Sequence, residues 1–425
     1  MTVADTLDIQ QIYKQGIEQT NGTVGHLDNS QEQALKALWA RLFEHFDKTQ
    51  EKPILVEKSL VAKSGLAKDG ISGDDSSAIE KWYSENKSKV TDIKHQLVRD
   101  KLYLEGNHEP LVPANFAPLF GDPSDSRTFY NAFWQAALRH RSPDTYLLGF
   151  LKSSEWDVNK AFSRLEHSIN RRIQQDIDRL MWEGDLIQNC GITEKGLCIQ
   201  TGKDKFGSPV FIVTVRLNVP KERTEADVEK FAAYSLEKAA QLARNYNDRA
   251  LLLYDFTGFK LENVDTAFSK TIITTIQELY PHTFGATLLF VNSWLFSGIW
   301  KVIRGWMDPM VARRTTIVKD IKALQEFIDL SQIPASMGGE LKKEFKYVYP
   351  RKEENDKMAD QAGRLKAERQ LATAVDSFVS ETRKWTEGSD VAGHNADPRA
   401  QAAAAFDSAA TELDPFIRAR FVEER

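Results

Sequence analysis

The amino-acid sequence predicts an α/β protein in which helices cover a mainly parallel sheet, with helical regions before and after it. Three observations predict this fold. Strand-like and helix-like segments alternate between residues 197 and 318. Residues 250–254 are a continuous apolar run, as expected for a strand that is buried on both faces of a parallel sheet. The regions before residue 186 and after residue 350 show helical spacing and no strand pattern.

The composition excludes several classes of protein. The chain has 425 residues, which predicts two or three domains. Its formal net charge is −5, whereas proteins that bind nucleic acid without sequence preference usually carry a basic excess. We therefore expect no nucleic-acid partner. Two cysteines cannot build a disulfide framework, and residues 1–10 lack the basic start and apolar run of a secretory signal, so we expect a cytoplasmic protein.

Residues 1–185 form the predicted helical N-terminal region. Ser30 and Gln33 have the spacing of a capping box, in which each side chain bonds the other residue's amide. Residues near 50–126 are predicted to be flexible, because one part is rich in Gly, Ser, Asp and Lys and the next part is rich in proline. Further helices are predicted over residues 127–138, 146–151 and 157–181.

Residues 186–350 form the predicted α/β lobe, and residues 351–425 form a predicted helical C-terminal extension that is interrupted near residues 387–398. The predicted strands of the lobe cover residues 197–200, 210–217, 250–254, 286–291 and 315–318. The predicted helices of the lobe cover residues 225–244 and 265–279, and a third begins at Leu295.

Residues 279–300 contain no Asp, Glu, Lys or Arg, and their length is close to that of a membrane-spanning helix. Pro281, His282, Asn292 and Ser293 interrupt the apolar run, however. We therefore interpret this segment as a turn, a buried strand and the start of an apolar helix, and not as a membrane span.

The usual catalytic and metal-binding motifs are missing from the sequence. Thr201–Asp204 suggests a phosphate-binding loop, but Leu197 stands where the first glycine is required. The eight histidines are scattered, so we expect neither a metal site nor a cofactor. Asp255 ends a strand, where α/β enzymes often place a catalytic group, and the alternative is that its carboxylate caps the turn that contains Gly258.

The stretch 294–314 combines an apolar helical pattern with basic residues. Tryptophan and basic side chains beside an apolar helix suit a lipid–water interface, and the alternative is an ordinary core helix. The apolar positions are Leu295, Phe296, Ile299, Trp300, Ile303, Trp306, Met307 and Met310. The basic positions that we expect to face a membrane are Lys301, Arg304 and Arg313.

Six short signatures occur in one order between about residues 130 and 345, and together they resemble the CRAL-TRIO lipid-transfer family. Two details, Asp255–Phe259 and Ile303–Pro309, look most like the divergent fungal phosphatidylinositol transfer proteins, as does Leu413–Arg420 in the tail. The six signatures are Leu147–Asp157, Gly202–Val210, Asp255–Gly258, Tyr280–Pro281, Trp294–Pro309 and Ile333–Gly339.

The resemblance implies an α/β lobe with an internal lipid cavity, a bound lipid, and a gate helix over the apolar positions between Leu295 and Met310. It also places Phe211, where family members carry a tyrosine, at the cavity. It also implies that His282, Thr283 and Arg314 lie at the head group of the lipid. Phosphatidylinositol-binding members carry Glu, Arg and Lys, respectively, at these three positions. At and after the family's Leu-Leu-Arg-Phe-Leu motif, Gly149, Ser154 and Glu155 replace basic residues in this sequence.

The sequence therefore predicts a lipid-binding and lipid-transfer protein without catalytic activity, with phosphatidylinositol as the expected ligand. It would associate peripherally and transiently with membrane surfaces. Two alternatives stay open. One is a sensor or carrier of a neutral apolar ligand, such as a sterol or a squalene-like compound, which the altered head-group positions favour. The other is an α/β enzyme that uses Asp255.

Overall fold

A computed structural model describes residues 8–16, 22–49, 128–187, 190–244, 246, 248–263, 265–281, 283–291, 296–342, 345–388 and 397–425. The flexible stretch predicted near residues 50–126 lies outside these ranges. The helices are α1 (Ile9–Gln15), α2 (Asn29–Thr49), α3 (Phe129–Ala137), α4 (Pro143–Ser153), α5 (Val158–Gln174), α6 (Ile177–Glu183), α7 (Cys190–Glu194), α8 (Glu225–Ala243), α9 (Thr266–Leu279), α10 (Phe296–Arg304), α11 (Pro309–Arg313), α12 (Ile321–Leu324), α13 (Asp356–Ala359), α14 (Gln361–Thr386) and α15 (Pro398–Ile417). The strands are β1 (Cys198–Lys203), β2 (Pro209–Thr214), β3 (Ala250–Asp255), β4 (Phe284–Phe290) and β5 (Thr315–Val318).

The chain forms two compact units. The first contains residues 1–42, 139–168 and 191–347, and the second contains residues 43–138, 169–190 and 348–425. The domain boundaries predicted at residues 185 and 350 stay a prediction.

The first unit contains the sheet, whose strand order is β1-β2-β3-β4-β5. Strand β1 pairs with β2 in the antiparallel sense, and the other three pairings are parallel. Helix α8 connects β2 to β3, and α9 connects β3 to β4. Because both crossovers are expected to be right-handed and the strand order advances in the same direction, both helices lie on the same face of the sheet. This arrangement confirms the predicted α/β class with a mainly parallel sheet.

The opposite face of the sheet is covered by α1 and by the segment after β5. Ile12 and Tyr13 of α1 pack with Leu253, Leu288 and Phe327, and all five residues are buried. The Tyr13 hydroxyl donates a hydrogen bond of 2.6 Å to the buried Asp204 carboxylate. Burial raises the pKa of Asp204, and hydrogen bonds from Tyr13 and from nearby backbone amides oppose this shift. The contact anchors α1 to the loop between β1 and β2.

The second unit is helical in the residues that the structure describes. The Trp134 ring of α3 lies 5.9 Å from the Phe406 ring of α15, centroid to centroid. The guanidinium of Arg425 donates hydrogen bonds of 2.6 Å to Asp185 and 2.7 Å to Glu354. The C-terminal extension therefore consists of packed helices, as predicted, with the interruption between α14 and α15.

Two local predictions were wrong. Helix α2 is capped by Asp28 and Gln31, which exchange side-chain-to-amide hydrogen bonds of 2.9 and 3.0 Å, and not by Ser30 and Gln33. The Ser30 hydroxyl instead donates to the Asp28 carboxylate. The helix predicted over residues 157–181 is broken because Asp176 adopts a left-handed conformation with φ of 53°, which Asp tolerates better than most residues.

Candidate functional site

The gate segment, residues 296–314, consists of two short helices and not of the single helix predicted from Leu295 to Met310. Helix α10 ends at Arg304, and Gly305, Trp306 and Met307 follow in tight turns. Asp308 is extended, with φ of −66° and ψ of 159°, and its carboxylate caps α11. The break has a physical cause, since the residue before a proline is disfavoured in a helical conformation.

Helix α10 packs on the sheet through an apolar cluster, which we call the gate cluster. Phe296 is 2% exposed, and its ring lies 4.5 Å from the Phe256 ring and 6.2 Å from the Trp300 ring. Leu289 of β4 lies beneath them. The gate cluster consists of Phe256, Phe259, Leu289, Val291 and Phe296, with Val215, Tyr254 and Trp300 packed against it.

The outer side of α10 is basic and partly apolar. Lys301 and Arg304 are exposed, and Val302 between them is 50% exposed. Trp300 and Ile303 are half-buried. The helix therefore buries one side on the sheet and presents cationic and apolar groups together on the other, a combination that suits an anionic lipid surface.

A pocket with a mostly apolar lining and three charged side chains lies beside the second half of the gate segment, and we call it the polar pocket after those charges. It is partly open to solvent, and its cavity volume is about 30 Å³. Its charged lining residues are Arg164, Asp308 and Arg314. The Arg314 backbone is fixed, because its carbonyl accepts a hydrogen bond of 2.8 Å from the Thr287 amide of β4. The remaining lining residues are Ser153, Ile276, Gln277, Pro281, Phe284, Thr287, Met310 and Val311.

Arg164 of α5 joins three elements at this pocket. Its Nη1 donates to the Ser153 carbonyl at 2.7 Å, and its Nη2 donates to the Gln277 carbonyl at 2.9 Å. The same Nη2 lies 3.7 Å from an Asp308 carboxylate oxygen. At this distance the two groups form an ion pair, but they are too far apart for a hydrogen bond.

The side chain of Gln277 holds the turn that follows α10, and we call this contact the gate latch. Its Oε1 accepts a hydrogen bond of 2.7 Å from the Asp308 amide. Its Nε2 donates a longer bond of 3.4 Å to the Trp306 carbonyl. The gate latch thus connects the end of α9 to the hinge between α10 and α11.

Comparison with known proteins identifies this region. Residues 193–339, which include the sheet, the gate cluster and most of the pocket lining, match the family model described as CRAL/TRIO domain. The chain contains a CRAL/TRIO domain. The match confirms the resemblance found in the sequence signatures.

Several of the similar proteins come from fungi. The chain is 29% identical over 307 residues to "Phosphatidylinositol transfer protein CSR1" of Eremothecium gossypii, which covers 70% of each chain. It is 24% identical to "CRAL-TRIO domain-containing protein C3H8.02" of Schizosaccharomyces pombe, over 95% of this chain and 91% of that protein. A solved structure titled "Crystal structure of Sfh5" matches 49% of this chain and 77% of its own, with 17% identity and a TM-score of 0.40.

The structure does not bring all of the expected head-group residues together at the polar pocket. Arg314 lines the polar pocket, while Thr283 is 4% exposed and is not among the described lining residues. His282 lies outside the described residues, as do Leu295 and the Ile299 side chain.

The family's basic motif is replaced on α4, and the packing explains one position. A Cβ atom at Gly149 would lie 2.7 Å from the Pro281 carbonyl oxygen, so no larger residue fits without a shift. Ser154 is 1% exposed. Gly149 on α4 and Ser154 directly after it therefore bring no basic side chain to this pocket.

The remaining predicted positions are placed around the gate. Trp306 and Met307 are half-buried in the turn after α10, and the half-buried Met310 lines the pocket. Arg313 is exposed on α11. Phe211 is 1% exposed on β2, and its ring lies 6.4 Å from the Phe284 ring.

Asp255 has both carboxylate oxygens occupied. Oδ1 accepts a hydrogen bond of 2.9 Å from the Thr257 amide, and Oδ2 accepts one of 3.2 Å from Arg216. Gly258 follows with φ of 67°, a conformation that favours glycine. In this geometry the carboxylate stabilises the turn after β3.

Sequence reasoning missed two polar residues. One is Arg164, described above. The other is Tyr254 of β3, which packs against the gate cluster and is half-buried. No described residue makes a hydrogen bond with its hydroxyl. Burial raises the pKa of the Tyr254 phenol, and the nearby Cys198 adds to this shift, so the hydroxyl stays neutral near pH 7.

Proposed function

We propose that the protein binds single phospholipid molecules, phosphatidylinositol in particular, and transfers them between membranes. The CRAL/TRIO domain over residues 193–339 and similarity to a named phosphatidylinositol transfer protein support this function. The observation that carries the proposal is the composition of the gate segment. Its first half covers an apolar cluster, and Arg314 at its end lines a polar pocket.

The energetics of lipid transfer require such a division. Moving one methylene group from a bilayer into water costs about 0.8 kcal/mol, and a two-chain phospholipid has roughly 30 of them, so full exposure would cost on the order of 25 kcal/mol. A carrier must therefore enclose the acyl chains among apolar side chains such as Phe256 and Phe296. A phosphate requires the opposite surroundings, and a guanidinium such as that of Arg314 provides them.

The outer side of α10 supports a transient encounter with a membrane. Lys301, Val302 and Arg304 are exposed together, so the helix can meet anionic head groups while its inner side stays packed. No helix among the described residues is long and apolar enough to cross a bilayer. This function needs no catalytic group, and the engagement of both Asp255 oxygens gives an enzymatic role of that residue no support.

Two measurements on the full chain test the proposal. Mass spectrometry of lipid extracted from the purified protein should find a phospholipid in about equimolar amount. The protein should also accelerate transfer of labelled phosphatidylinositol between donor and acceptor vesicles. If purified protein carries no lipid and transfers none, the proposed function is wrong.

A neutral apolar ligand is a second candidate, which two observations favour. Gly149 and the buried Ser154 bring no basic group to the polar pocket. In addition, Tyr254 offers a neutral hydroxyl beside the gate cluster, which suits a ligand with one hydroxyl or carbonyl oxygen. Recovery of a sterol or an isoprenoid instead of a phospholipid in the same extraction would favour this candidate.

A further inference from the structure

Arg164 has hydrogen-bonding capacity that the protein leaves unused. A guanidinium group carries five N–H donors. Two of them bond the carbonyls of Ser153 and Gln277, and the ion pair with Asp308 at 3.7 Å is too long to use a third as a hydrogen bond. Three N–H donors of Arg164 therefore have no hydrogen-bond acceptor among the described residues. The side chain that carries them is half-buried and lines the polar pocket.

The charges in the pocket favour an anion. Arg164 and Arg314 are positive, and Asp308 is the acidic residue among the described lining residues. One Asp308 oxygen is committed to the amide of Val311 at 2.8 Å, where it caps α11. The other oxygen faces Arg164 and competes with any incoming anion for that guanidinium.

We infer that Arg164 is a phosphate-binding residue of this pocket, which acts with Arg314 on the phosphodiester of an anionic phospholipid. The two carbonyl bonds fix the guanidinium, so its remaining donors are oriented before the ligand arrives. Two arginines from different elements can bind the phosphate oxygens from different directions. Helix α5 thereby supplies a positive charge that Gly149 and Ser154 do not supply.

This inference rests on the proposed function and predicts opposite effects for two substitutions. Arg164→Gln removes the charge and most donors, and should weaken extraction of phosphatidylinositol about ten- to a hundredfold, the range expected for a lost hydrogen bond to a charged group. Asp308→Asn removes the competing carboxylate while Asn still caps a helix well, so it should strengthen extraction. Lys160→Gln is the matched control, because Lys160 is an exposed cation on the same helix and lies outside the pocket lining.

The measured quantity is the ratio of phosphatidylinositol to squalene extracted from vesicles of phosphatidylcholine that contain both. The hydrocarbon offers no anion, so a loss of fold or of gate function lowers both amounts and leaves the ratio unchanged. We expect the ratio to fall in Arg164→Gln, to fall less in Arg164→Lys, and to rise in Asp308→Asn.

The outcomes separate this inference from the function on which it rests. If the wild type extracts phosphatidylinositol but both Arg164→Gln and Asp308→Asn keep its ratio, Arg164 has only a structural role and the inference is wrong. If the wild type extracts no phospholipid at all, the proposed function and the inference are overturned together. If Arg164→Gln does not fold, an unchanged ratio in Asp308→Asn alone refutes the inference.

Discussion

The gate latch predicts how tightly the hinge of the gate segment is held. Replacing Gln277 with Ala removes the acceptor of the Asp308 amide at 2.7 Å and the donor to the Trp306 carbonyl at 3.4 Å. A net hydrogen bond contributes about 0.5–1.5 kcal/mol, and the longer of the two contributes less. We therefore expect the hinge to lose about 1–2 kcal/mol of local stability.

The loss of local stability predicts a change in the rate of amide hydrogen exchange. A change of 1–2 kcal/mol corresponds to roughly a five- to thirtyfold change in an equilibrium constant. Hydrogen exchange of a protected amide follows the local opening equilibrium, so exchange at Asp308 should accelerate by about this factor in Gln277→Ala. Global unfolding should change little, because the gate latch bonds a surface turn.

A matched variant isolates the stronger bond. Gln277→Glu keeps a side-chain acceptor for the Asp308 amide but removes the donor to Trp306, so most of the protection should remain. The reasoning is refuted if Gln277→Ala exchanges at the wild-type rate at Asp308. Equal acceleration in both variants would instead show that the longer bond holds the turn.

Four further predictions concern the same region. Trp300→Asp should strongly reduce lipid transfer while circular dichroism stays native, because a carboxylate disfavours both membrane contact and the gate cluster; unchanged transfer would contradict the gate assignment. Replacing Lys301 and Arg304 together with Gln should weaken binding to anionic vesicles by about 2 kcal/mol at low salt, about 1 kcal/mol per charge, and equal binding would refute the membrane-facing role. Arg314→Ala should lower phosphatidylinositol binding about ten- to a hundredfold and leave squalene binding unchanged, and unaltered inositol-lipid binding would remove it from the site. Tyr254→Phe should lower binding of a sterol about two- to tenfold and leave squalene unchanged, and an equal effect on both would show that the hydroxyl binds no ligand.

Elements with a strong local pattern could be predicted from the sequence. The buried strand at residues 250–254 and the strand at 315–318 were found within one residue, because a short apolar or β-branched run between helical segments has few other interpretations. The functional role of the gate segment stays a prediction, and its division into two helices was missed. The apolar pattern continues across Gly305 and Asp308, whereas Pro309 disfavours a helical conformation at Asp308 and so separates the two helices.

Positions that depend on packing could not be predicted from the sequence. In the sequence, Arg164 looks like one of many solvated cations on an amphipathic helix. Its place in the pocket depends on a hydrogen bond to the carbonyl of Gln277, which is 113 residues further along the chain. For Arg164 the deciding contact is nonlocal, whereas periodicity reports only local neighbours. Asp176 lies within a continuous helical pattern that gives no sign of its left-handed backbone.

The gate latch and the polar pocket share residues, so the proposed head-group binding would be coupled to the hinge of the gate segment. Arg164 bonds the Gln277 carbonyl, the Gln277 side chain bonds the Asp308 amide, and the Asp308 carboxylate faces Arg164. A phosphate that competes for Arg164 weakens the ion pair with Asp308 at the hinge while it gains contacts of its own. A ligand can shift such an equilibrium only by its differential affinity for the two states. We therefore expect a head group bound at Arg164 to affect how far the hinge opens, whereas we expect the acyl chains to interact with the gate cluster.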